Sequence, residues 1–388
     1  MPPLTATAEE SRSIMTCDFH ALAAPGVRNL QPYQPGKPES ELRREYGLSD
    51  IVKLASNENP LGPSPRAITA IHAALGDLAR YPDGNGFELK TALSTRLGLP
   101  MSMLTLGNGS NDVLELVARA FLTSEHEAVF SEHAFAVYPI VTQAIGATAR
   151  IAKAHPLKHA MPCGHDPAAL LALVNDRTRV VFIANPNNPT GTWLTAAELQ
   201  GLLEAIPPTV IVVVDEAYFE YVEPETDCPN TLRWLDRFPN LVVTRTFSKA
   251  YGLAGLRVGY AISHPAIADL LNRVRQPFNV NSLALVAATA ALDDTSHLEQ
   301  GRAVNRAGMQ QLQEACRQWG LSWLPSAGNF LCVNLGRPGR EVFVELLKRG
   351  VIVRPVDNYG LPEYLRISIG VEAENARLIV ALHDVLRG

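Results

Sequence analysis

Val210-Ile-Val-Val-Val-Asp215-Glu-Ala-Tyr218 joins an uninterrupted apolar run to a carboxylate and a tyrosine. Such a run is typical of a strand that is buried on both faces, as in a parallel sheet. From about residue 66 to residue 262, similar short apolar runs alternate with helical patterns. This alternation predicts an α/β fold in which helices flank a mostly parallel sheet.

The neighbouring strands are predicted at 128–130, 149–152, 179–183, 241–244 and 258–262. Three helix starts carry capping signals, namely Ser64 before Pro65, Asp112 with Glu115, and Thr195 with Glu198. After Pro277 the pattern changes to helices at 282–292, 297–319, 341–348 and 372–386, with strands at 330–334, 351–354 and 364–369. We therefore expect a mobile extension at 1–23, a small α+β domain from 24–56 plus 281–388, and a large α/β domain at 57–280.

Composition narrows the class of protein. The chain has 388 residues, 47% of them hydrophobic and 19% charged, and a net charge of -5, so no nucleic acid or membrane partner is expected. Its five scattered cysteines lack any Cys-x-x-Cys spacing, which argues against a disulfide framework or a metal site. The first residues have no uninterrupted apolar core, so a signal peptide is not predicted and a cytoplasmic location is expected.

The segment Thr246-Phe-Ser-Lys-Ala-Tyr-Gly-Leu-Ala-Gly-Leu-Arg257 places a lysine soon after the apolar run Leu241-Val-Val. A lysine at a strand end is partly desolvated, which lowers its pKa and provides a neutral amine for Schiff-base chemistry. Thr246, Ser248 and Arg257 would hold an anion beside Lys249. Taken alone, Lys249 is more typical of an ordinary surface lysine in a strand-to-loop turn, since most lysines are exposed.

Two glycine- or proline-rich turns add to this site. In Leu106-Gly-Asn-Gly-Ser-Asn-Asp112 the turn leads into a helix, so the amides of Ser110 and Asn111 would face a phosphate. Asn185-Pro-Asn-Asn-Pro-Thr-Gly191 follows a strand, where α/β sheets bind ligands, and Asn188 would hydrogen-bond into the site. Each stretch is also compatible with an ordinary connecting turn.

Asp215 ends the apolar strand, where burial raises the pKa of a carboxyl group unless a cation compensates. A metal or a protonated ring nitrogen satisfies this need, and Tyr218 would reach an adjacent ring oxygen; a helix cap is the structural alternative. A Schiff-base lysine, a buried aspartate, a phosphate cup and donors to a phenolic oxygen are together what pyridoxal phosphate requires.

The lysine segment resembles the motif of the fold-type I pyridoxal-phosphate aminotransferases. The matching residues are Thr246, Ser248, Lys249, Gly252, Ala254, Gly255 and Arg257. The chain is similar, more narrowly, to the histidinol-phosphate aminotransferase family, from about Val27 to the C-terminus. The stretches that carry this likeness are Pro32-Tyr-Gln-Pro-Gly-Lys37, Leu54-Ala-Ser-Asn-Glu-Asn-Pro60, Arg80-Tyr-Pro-Asp83, Asn187-Asn-Pro-Thr-Gly191, Asp215-Glu-Ala-Tyr218 and Tyr364-Leu-Arg-Ile-Ser-Ile-Gly370.

The resemblance implies roles for the cofactor-binding residues. Lys249 would form the Schiff base and then move the substrate proton, and Asp215 would keep the pyridine nitrogen protonated. Asn188 and Tyr218 would hydrogen-bond the phenolic oxygen. The phosphate would be held by Ser110, Asn111, Thr246, Ser248 and Arg257, joined by Tyr81 of a neighbouring subunit in a homodimer.

One position departs from the family pattern, in which a tyrosine often stacks on the cofactor ring. The matching residue here is Phe135, which retains the π face and loses the hydroxyl group. Tyr138 is the alternative for this position, although core packing is the simpler interpretation of that residue.

For the substrate, the resemblance points to Tyr33, Asn188, Arg354 and Arg366. An arginine fork binds either a phosphate or a carboxylate, so one site would serve L-histidinol phosphate and 2-oxoglutarate in turn, as in histidine biosynthesis. The same residues leave open an aminotransferase for phenylalanine or tyrosine and a pyridoxal-phosphate decarboxylase of a phosphorylated amino acid. A ligand sensor that binds the cofactor without turnover would need an attached DNA-binding module. A dehydrogenase would need a fuller dinucleotide-binding motif than Gly107-x-Gly109.

Overall fold

The computed structural model describes residues 17–387. Most of the predicted N-terminal extension, residues 1–16, lies outside the described residues. The strands within 17–387 are β1 (Val52–Lys53), β2 (Leu104–Gly107), β3 (Glu127–Ser131), β4 (Thr148–Ala152), β5 (Thr178–Ala184), β6 (Ile211–Asp215), β7 (Leu241–Thr246), β8 (Gly259–Ser263), β9 (Ser322–Leu324), β10 (Phe330–Asn334), β11 (Val351–Ile352), β12 (Arg354–Val356) and β13 (Leu361–Ser368).

The α-helices of the same range are α1 (Phe19–Leu22), α2 (Pro25–Arg28), α3 (Glu39–Tyr46), α4 (Pro65–Ala74), α5 (Phe87–Leu97), α6 (Ser110–Phe121), α7 (Val137–Ile145), α8 (Pro167–Leu171), α9 (Ala196–Ala205), α10 (Pro265–Val274), α11 (Ser282–Leu292), α12 (Thr295–Gln318), α13 (Gly339–Lys348) and α14 (Glu372–Arg387). Within the described part of the chain, no helix is both long and apolar enough to span a membrane.

The larger sheet has seven strands in the order β2-β8-β7-β6-β5-β3-β4. β3 pairs in parallel with β4 and β5, and β6 with β5 and β7, whereas β8 runs antiparallel to both of its neighbours. The predicted fold of a mostly parallel sheet flanked by helices is confirmed. β2, at the sheet edge, is a strand that the sequence pattern did not predict.

The central strand β6 is buried on both faces. Val212 and Val214 belong to the apolar cluster on one side of the sheet, and Val213 belongs to the cluster on the other side. Because successive side chains of a strand point to opposite faces, an unbroken valine run fits only between two helical layers. This packing fixes the position of Asp215 at the carboxyl end of the strand.

The smaller sheet is antiparallel, in the order β12-β13-β10-β9, and β1 pairs in parallel with β11 beside it. The single strand predicted at 351–354 is divided: Val351–Ile352 pairs with β1, while Arg354–Val356 pairs with β13. Arg354 and Arg366 are directly opposite each other in the second pairing. Opposite residues project from the same face of a sheet, so the division brings the two arginines together.

Helix α11 packs against elements that the predicted boundary places in the other domain. Its buried residues, among them Ala284 and Ala288, share an apolar cluster with Ala67 and Leu89 of the larger domain. α11 therefore packs with residues of the segment 57–280, whereas the predicted boundary at 280/281 groups it with the smaller domain. An alanine-rich segment offers little sequence signal for the direction in which it packs.

Helix starts follow their capping residues. The Ser64 hydroxyl accepts from the Ala67 amide at the start of α4, and Thr195 and Glu198 form the predicted capping box of α9. α6 begins at Ser110, two residues before the predicted start at Asp112. This earlier start places the amides of Ser110 and Asn111 at the helix N-terminus.

Candidate active site

A cavity of about 260 Å³ lies at the carboxyl ends of β6 and β7, between the two sheets. Open α/β sheets bind ligands at this edge. The cavity is lined by every predicted site residue except Tyr81, namely Tyr33, Ser110, Asn111, Phe135, Asn188, Asp215, Tyr218, Thr246, Ser248, Lys249, Arg257, Arg354 and Arg366.

Lys249 is partly buried at the base of the cavity. Its Nζ donates to the carbonyl oxygen of Ser56 at 2.8 Å and lies 5.8 Å from the centre of the Tyr218 ring. Desolvation, with a contribution from the Arg366 charge, lowers the pKa of Lys249 from 10.5 to about 7. Near neutral pH, a large fraction of this amine is therefore unprotonated and nucleophilic.

Asp215 is almost completely buried, and its carboxylate accepts hydrogen bonds from neutral donors. Thr244 Oγ1 donates to Oδ1 at 2.9 Å, and the Tyr138 hydroxyl donates to Oδ2 at 3.1 Å. Burial raises the pKa of Asp215 from 3.8 to about 6, and the two hydroxyl donors oppose that shift. The charged form is therefore desolvated, and a cation in the cavity would stabilise it.

The N-terminus of α6 faces Arg257 across a narrow gap. Gly109 has a φ of 83°, and a Cβ at this position would collide with the Arg257 guanidinium group. Arg257 Nη1 donates to Ser248 Oγ at 3.3 Å, and the Ser248 amide donates to Thr246 Oγ1 at 3.1 Å. Helix amides, hydroxyls and a guanidinium group around a glycine turn form a cup suited to a phosphate.

Asn188 has a fixed orientation. Arg366 Nη1 donates to Asn188 Oδ1 at 2.5 Å, and Arg366 Nη2 donates to the Ala55 carbonyl at 2.5 Å. Because arginine has no acceptor atoms, the amide oxygen of Asn188 must face it. The amide nitrogen of Asn188 is then the group available as a donor to a ligand.

The aromatic residues Phe135 and Tyr138 have separate positions. Phe135 lines the cavity, whereas Tyr138 is fully buried and stacks on Phe182 with ring centres 4.9 Å apart. Of the two stacking candidates, Phe135 is the one that lines the cavity. Tyr138 is both a core residue and, through its hydroxyl, a partner of Asp215.

Arg354 and Arg366 are both buried and stand side by side at the cavity wall. Arg354 Nη2 donates to the Gln34 carbonyl at 2.6 Å, and its guanidinium lies 6.0 Å from the centre of the half-exposed Tyr33 ring. Arg366 Nε is buried without a hydrogen-bond partner among the described residues. Two adjacent guanidinium groups with donors to spare favour a dianion such as a phosphate or a dicarboxylate.

Tyr81 is not part of the cavity of its own chain. It is 83% exposed and stacks on Phe278 with ring centres 4.7 Å apart. An exposed aromatic pair of this kind is unusual for a surface in contact with water only. The role of Tyr81 in a neighbouring subunit stays a prediction.

The cavity fits pyridoxal phosphate on three observations. The absence of a Cβ at Gly109 lets the Arg257 guanidinium lie close to the N-terminus of α6, so that the helix amides and the guanidinium can face one phosphate. The buried Asp215, whose hydrogen-bond donors are neutral, suits a protonated pyridine nitrogen. Lys249 supplies an amine whose pKa permits a Schiff base at neutral pH.

Some contacts of the site did not emerge from sequence reasoning. The Ser56 carbonyl contacts Lys249, the Asn57 side chain contacts Tyr218, and Thr244 and Tyr138 contact Asp215. Ser56 and Asn57 belong to a stretch that carried the family resemblance, yet the spacing indicates no role for them. The Tyr138 contact spans 77 residues, and no local pattern predicts such a pair.

Comparison with known proteins identifies the family. The class I and II aminotransferase profile matches residues 49–382. Histidinol-phosphate aminotransferase 2 of Pseudomonas fluorescens is 61% identical over 374 residues, which cover 96% of this chain and 99% of the relative. Histidinol-phosphate aminotransferase 1 of Nitrosococcus oceani is 57% identical over 371 residues, covering 95% and 98%.

A solved structure is similar over the whole fold. Histidinol-phosphate aminotransferase from Sinorhizobium meliloti, in complex with pyridoxal-5'-phosphate, has a TM-score of 0.85 at 30% identity and covers 94% of this chain and 97% of that one. The family profile, the sequence relatives and the solved structure all agree with the residues that line the cavity. This chain belongs to the histidinol-phosphate aminotransferases, within the class I and II aminotransferase family.

Proposed function

We propose that this enzyme transfers an amino group between L-histidinol phosphate and 2-oxoglutarate, with pyridoxal phosphate as cofactor, as a step of histidine biosynthesis. The observation that carries the proposal is the pair of buried arginines, Arg354 and Arg366, placed opposite each other at the wall of the cavity that contains Lys249. Relatives that are 57% to 61% identical bear the name of this activity.

When bound, pyridoxal phosphate supplies an electron sink for the negative charge left on the substrate carbon after a proton departs. Asp215 supports that function because its buried carboxylate stabilises a positive charge on the pyridine nitrogen. Asn188 would donate from its amide nitrogen to the phenolic oxygen, since its amide oxygen accepts from Arg366. The residues that would hold the phosphate are Ser110, Asn111, Thr246, Ser248 and Arg257.

Lys249 serves as the base that moves the substrate proton. Its pKa of about 7 allows Nζ to accept a proton and to return it near neutral pH, which is the condition for efficient general acid–base catalysis. The Ser56 carbonyl at 2.8 Å holds the amine at the base of the cavity. A lysine with an ordinary pKa would be protonated there and unable to act as a base.

Arg354 and Arg366 account for the use of two different substrates. L-Histidinol phosphate carries a phosphate and no α-carboxylate, whereas 2-oxoglutarate carries two carboxylates. Guanidinium forks bind both kinds of anion through paired hydrogen bonds. The half-exposed Tyr33 ring beside Arg354 offers an apolar face to the imidazole group.

We also propose that the active form is a cytoplasmic homodimer with shared sites. The exposed Tyr81–Phe278 pair supports this arrangement, because an aromatic surface that faces a second copy would be covered. In such a dimer Tyr81 of one subunit would contact the phosphate bound by the other.

The proposal is tested by titrating the purified yellow enzyme with L-histidinol phosphate, phenylalanine, tyrosine or phosphoserine. Only L-histidinol phosphate is expected to convert the visible absorbance of the bound cofactor to that of the amine form at micromolar concentration. Conversion by the aromatic amino acids alone would support the aromatic aminotransferase instead. Release of carbon dioxide from a phosphorylated amino acid would support a decarboxylase.

A further inference from the structure

The hydroxyl of Tyr218 has a defined hydrogen-bond direction, set by residues outside the predicted site. Asn57 Nδ2 donates to the Tyr218 oxygen at 2.9 Å. An amide nitrogen donates and cannot accept, so the tyrosine oxygen is the acceptor in this contact. The hydrogen of Tyr218 itself is not donated to any residue between 17 and 387, and Tyr218 lines the cavity.

Ser368 fixes the orientation of the Asn57 amide. Ser368 Oγ accepts from the Asn57 backbone amide at 2.7 Å and donates to Asn57 Oδ1 at 2.9 Å. If the side-chain amide of Asn57 were reversed, its nitrogen would face Ser368, and the hydroxyl hydrogen of Ser368 would lose its acceptor. This would leave a buried donor unpaired, because Ser368 is only 3% exposed. An unpaired buried donor is destabilising, so the arrangement with Nδ2 toward Tyr218 is favoured.

The backbone of Asn57 supports the same geometry. Its φ is 55°, a left-handed conformation that asparagine tolerates better than most residues. The Asn57 carbonyl also accepts from Asn329 Nδ2 at 3.1 Å. Asn57 is therefore held from the side of the smaller domain by Ser368 and Asn329, and it presents one donor to Tyr218 of the larger domain.

We infer that Asn57, with Ser368 behind it, is a positioning residue that keeps the Tyr218 hydroxyl hydrogen directed into the cavity, toward the phenolic oxygen of the cofactor. This inference rests on the proposed function, because the acceptor for the Tyr218 hydrogen is the bound pyridoxal phosphate. Donation to the phenolic oxygen favours its ionised form. Asn57 thus acts on the cofactor through its hydrogen bond to Tyr218.

The test is the pH midpoint of the visible absorbance change of the holoenzyme, together with the dissociation constant of pyridoxal phosphate from the cofactor-free protein, read by quenching of tryptophan fluorescence. Asn57→Gly removes the donor and tolerates a positive φ. We expect it to raise the midpoint by about one pH unit and to weaken cofactor binding about tenfold. Tyr218→Phe is expected to do the same.

The double variant N57G/Y218F decides between positioning and a general structural effect. It is expected to have the midpoint of Y218F alone, because Asn57 acts only through the hydroxyl that Y218F lacks. Ser368→Ala, which frees the Asn57 amide to rotate, is expected to raise the midpoint less, and again only when Tyr218 is present. Asn305→Ala serves as the control, since this buried asparagine bonds to the Gly328 carbonyl instead; its midpoint should equal that of the wild type.

Two results would overturn the inference while the proposed function stands. One is that the midpoint shifts of N57G and Y218F add in the double variant. The other is that N57G and S368A both keep the wild-type midpoint. If N57G does not fold, S368A with and without Y218F gives the same comparison. A wild-type protein that binds no pyridoxal phosphate would overturn the proposed function and this inference together.

Discussion

Replacing Asp215 by asparagine should make the cofactor-free protein more stable than the cofactor-free wild type. The same substitution should reduce the stability that the protein gains when pyridoxal phosphate binds. Burial raises the pKa of Asp215 from 3.8 to about 6 in the folded state. The folded carboxyl group thus retains its proton to higher pH than the unfolded one, and folding stability falls as the pH rises between these two values. This rise in the pKa of Asp215 corresponds to about 3 kcal/mol of lost folding stability above pH 7.

Asparagine removes this penalty but has one acceptor oxygen where the carboxylate has two. One of the hydroxyl donors, Thr244 or Tyr138, must then reverse its direction, at a loss of about 1 kcal/mol. We therefore expect D215N to gain about 2 kcal/mol in the free energy of unfolding at pH 7.5. At pH 5, between the unfolded and folded pKa values, the pKa penalty is only about half as large, so the gain from D215N is smaller there than at pH 7.5.

The assay is urea unfolding of both cofactor-free proteins at pH 5 and pH 7.5, at one protein concentration because subunit association contributes to stability. The exposed Asp236 provides the control substitution Asp236→Asn. Added pyridoxal phosphate should stabilise the wild type far more than D215N, since only the carboxylate can pair with the pyridine nitrogen. A difference between wild type and D215N that is the same at both pH values would refute the reasoning.

The remaining predictions concern catalysis and assembly. Lys249→Ala should lose the visible imine absorbance yet still bind pyridoxal phosphate non-covalently; imine absorbance in this variant would contradict the role of Lys249. When pyridoxal phosphate is added to the cofactor-free wild type, the rate at which the imine absorbance appears should rise with pH through about 7. The reason is that the pKa of Lys249 is about 7 and only its neutral amine attacks the aldehyde. A rate that does not change between pH 6 and 8 in stopped-flow measurements would contradict this. Arg366→Lys should lower kcat/KM for both substrates by roughly 30- to 100-fold, since lysine lacks the fork that contacts Asn188; an effect on one substrate only would mean separate anion sites. Co-expressed Tyr81→Ala and Lys249→Ala chains should regain about a quarter of wild-type activity through mixed dimers with one intact site; no recovery would argue against shared sites.

The larger domain was predictable because its signals are local. Continuous apolar runs marked β5, β6 and β7, and the capping residues Ser64 and Thr195 marked α4 and α9. Functional side chains at strand ends, such as Asp215 and Lys249, could be assigned to one site because the carboxyl ends of parallel strands share one edge. The short edge strand β2 and the packing side of α11 lacked such signals, since neither has a distinct hydrophobic periodicity.

The sequence by itself determined the α/β architecture, the cofactor class and most of the polar and charged residues that line the cavity, because each depends on residue types next to one another in the chain. Tertiary structure alone decided how those residues are oriented. Tyr138 meets Asp215 across 77 positions, and Ser368 meets Asn57 across 311. Hydrogen-bond direction and desolvation arise from groups that only folding brings together, so the pKa of Lys249 and the direction of the Tyr218 hydroxyl are properties of the folded chain.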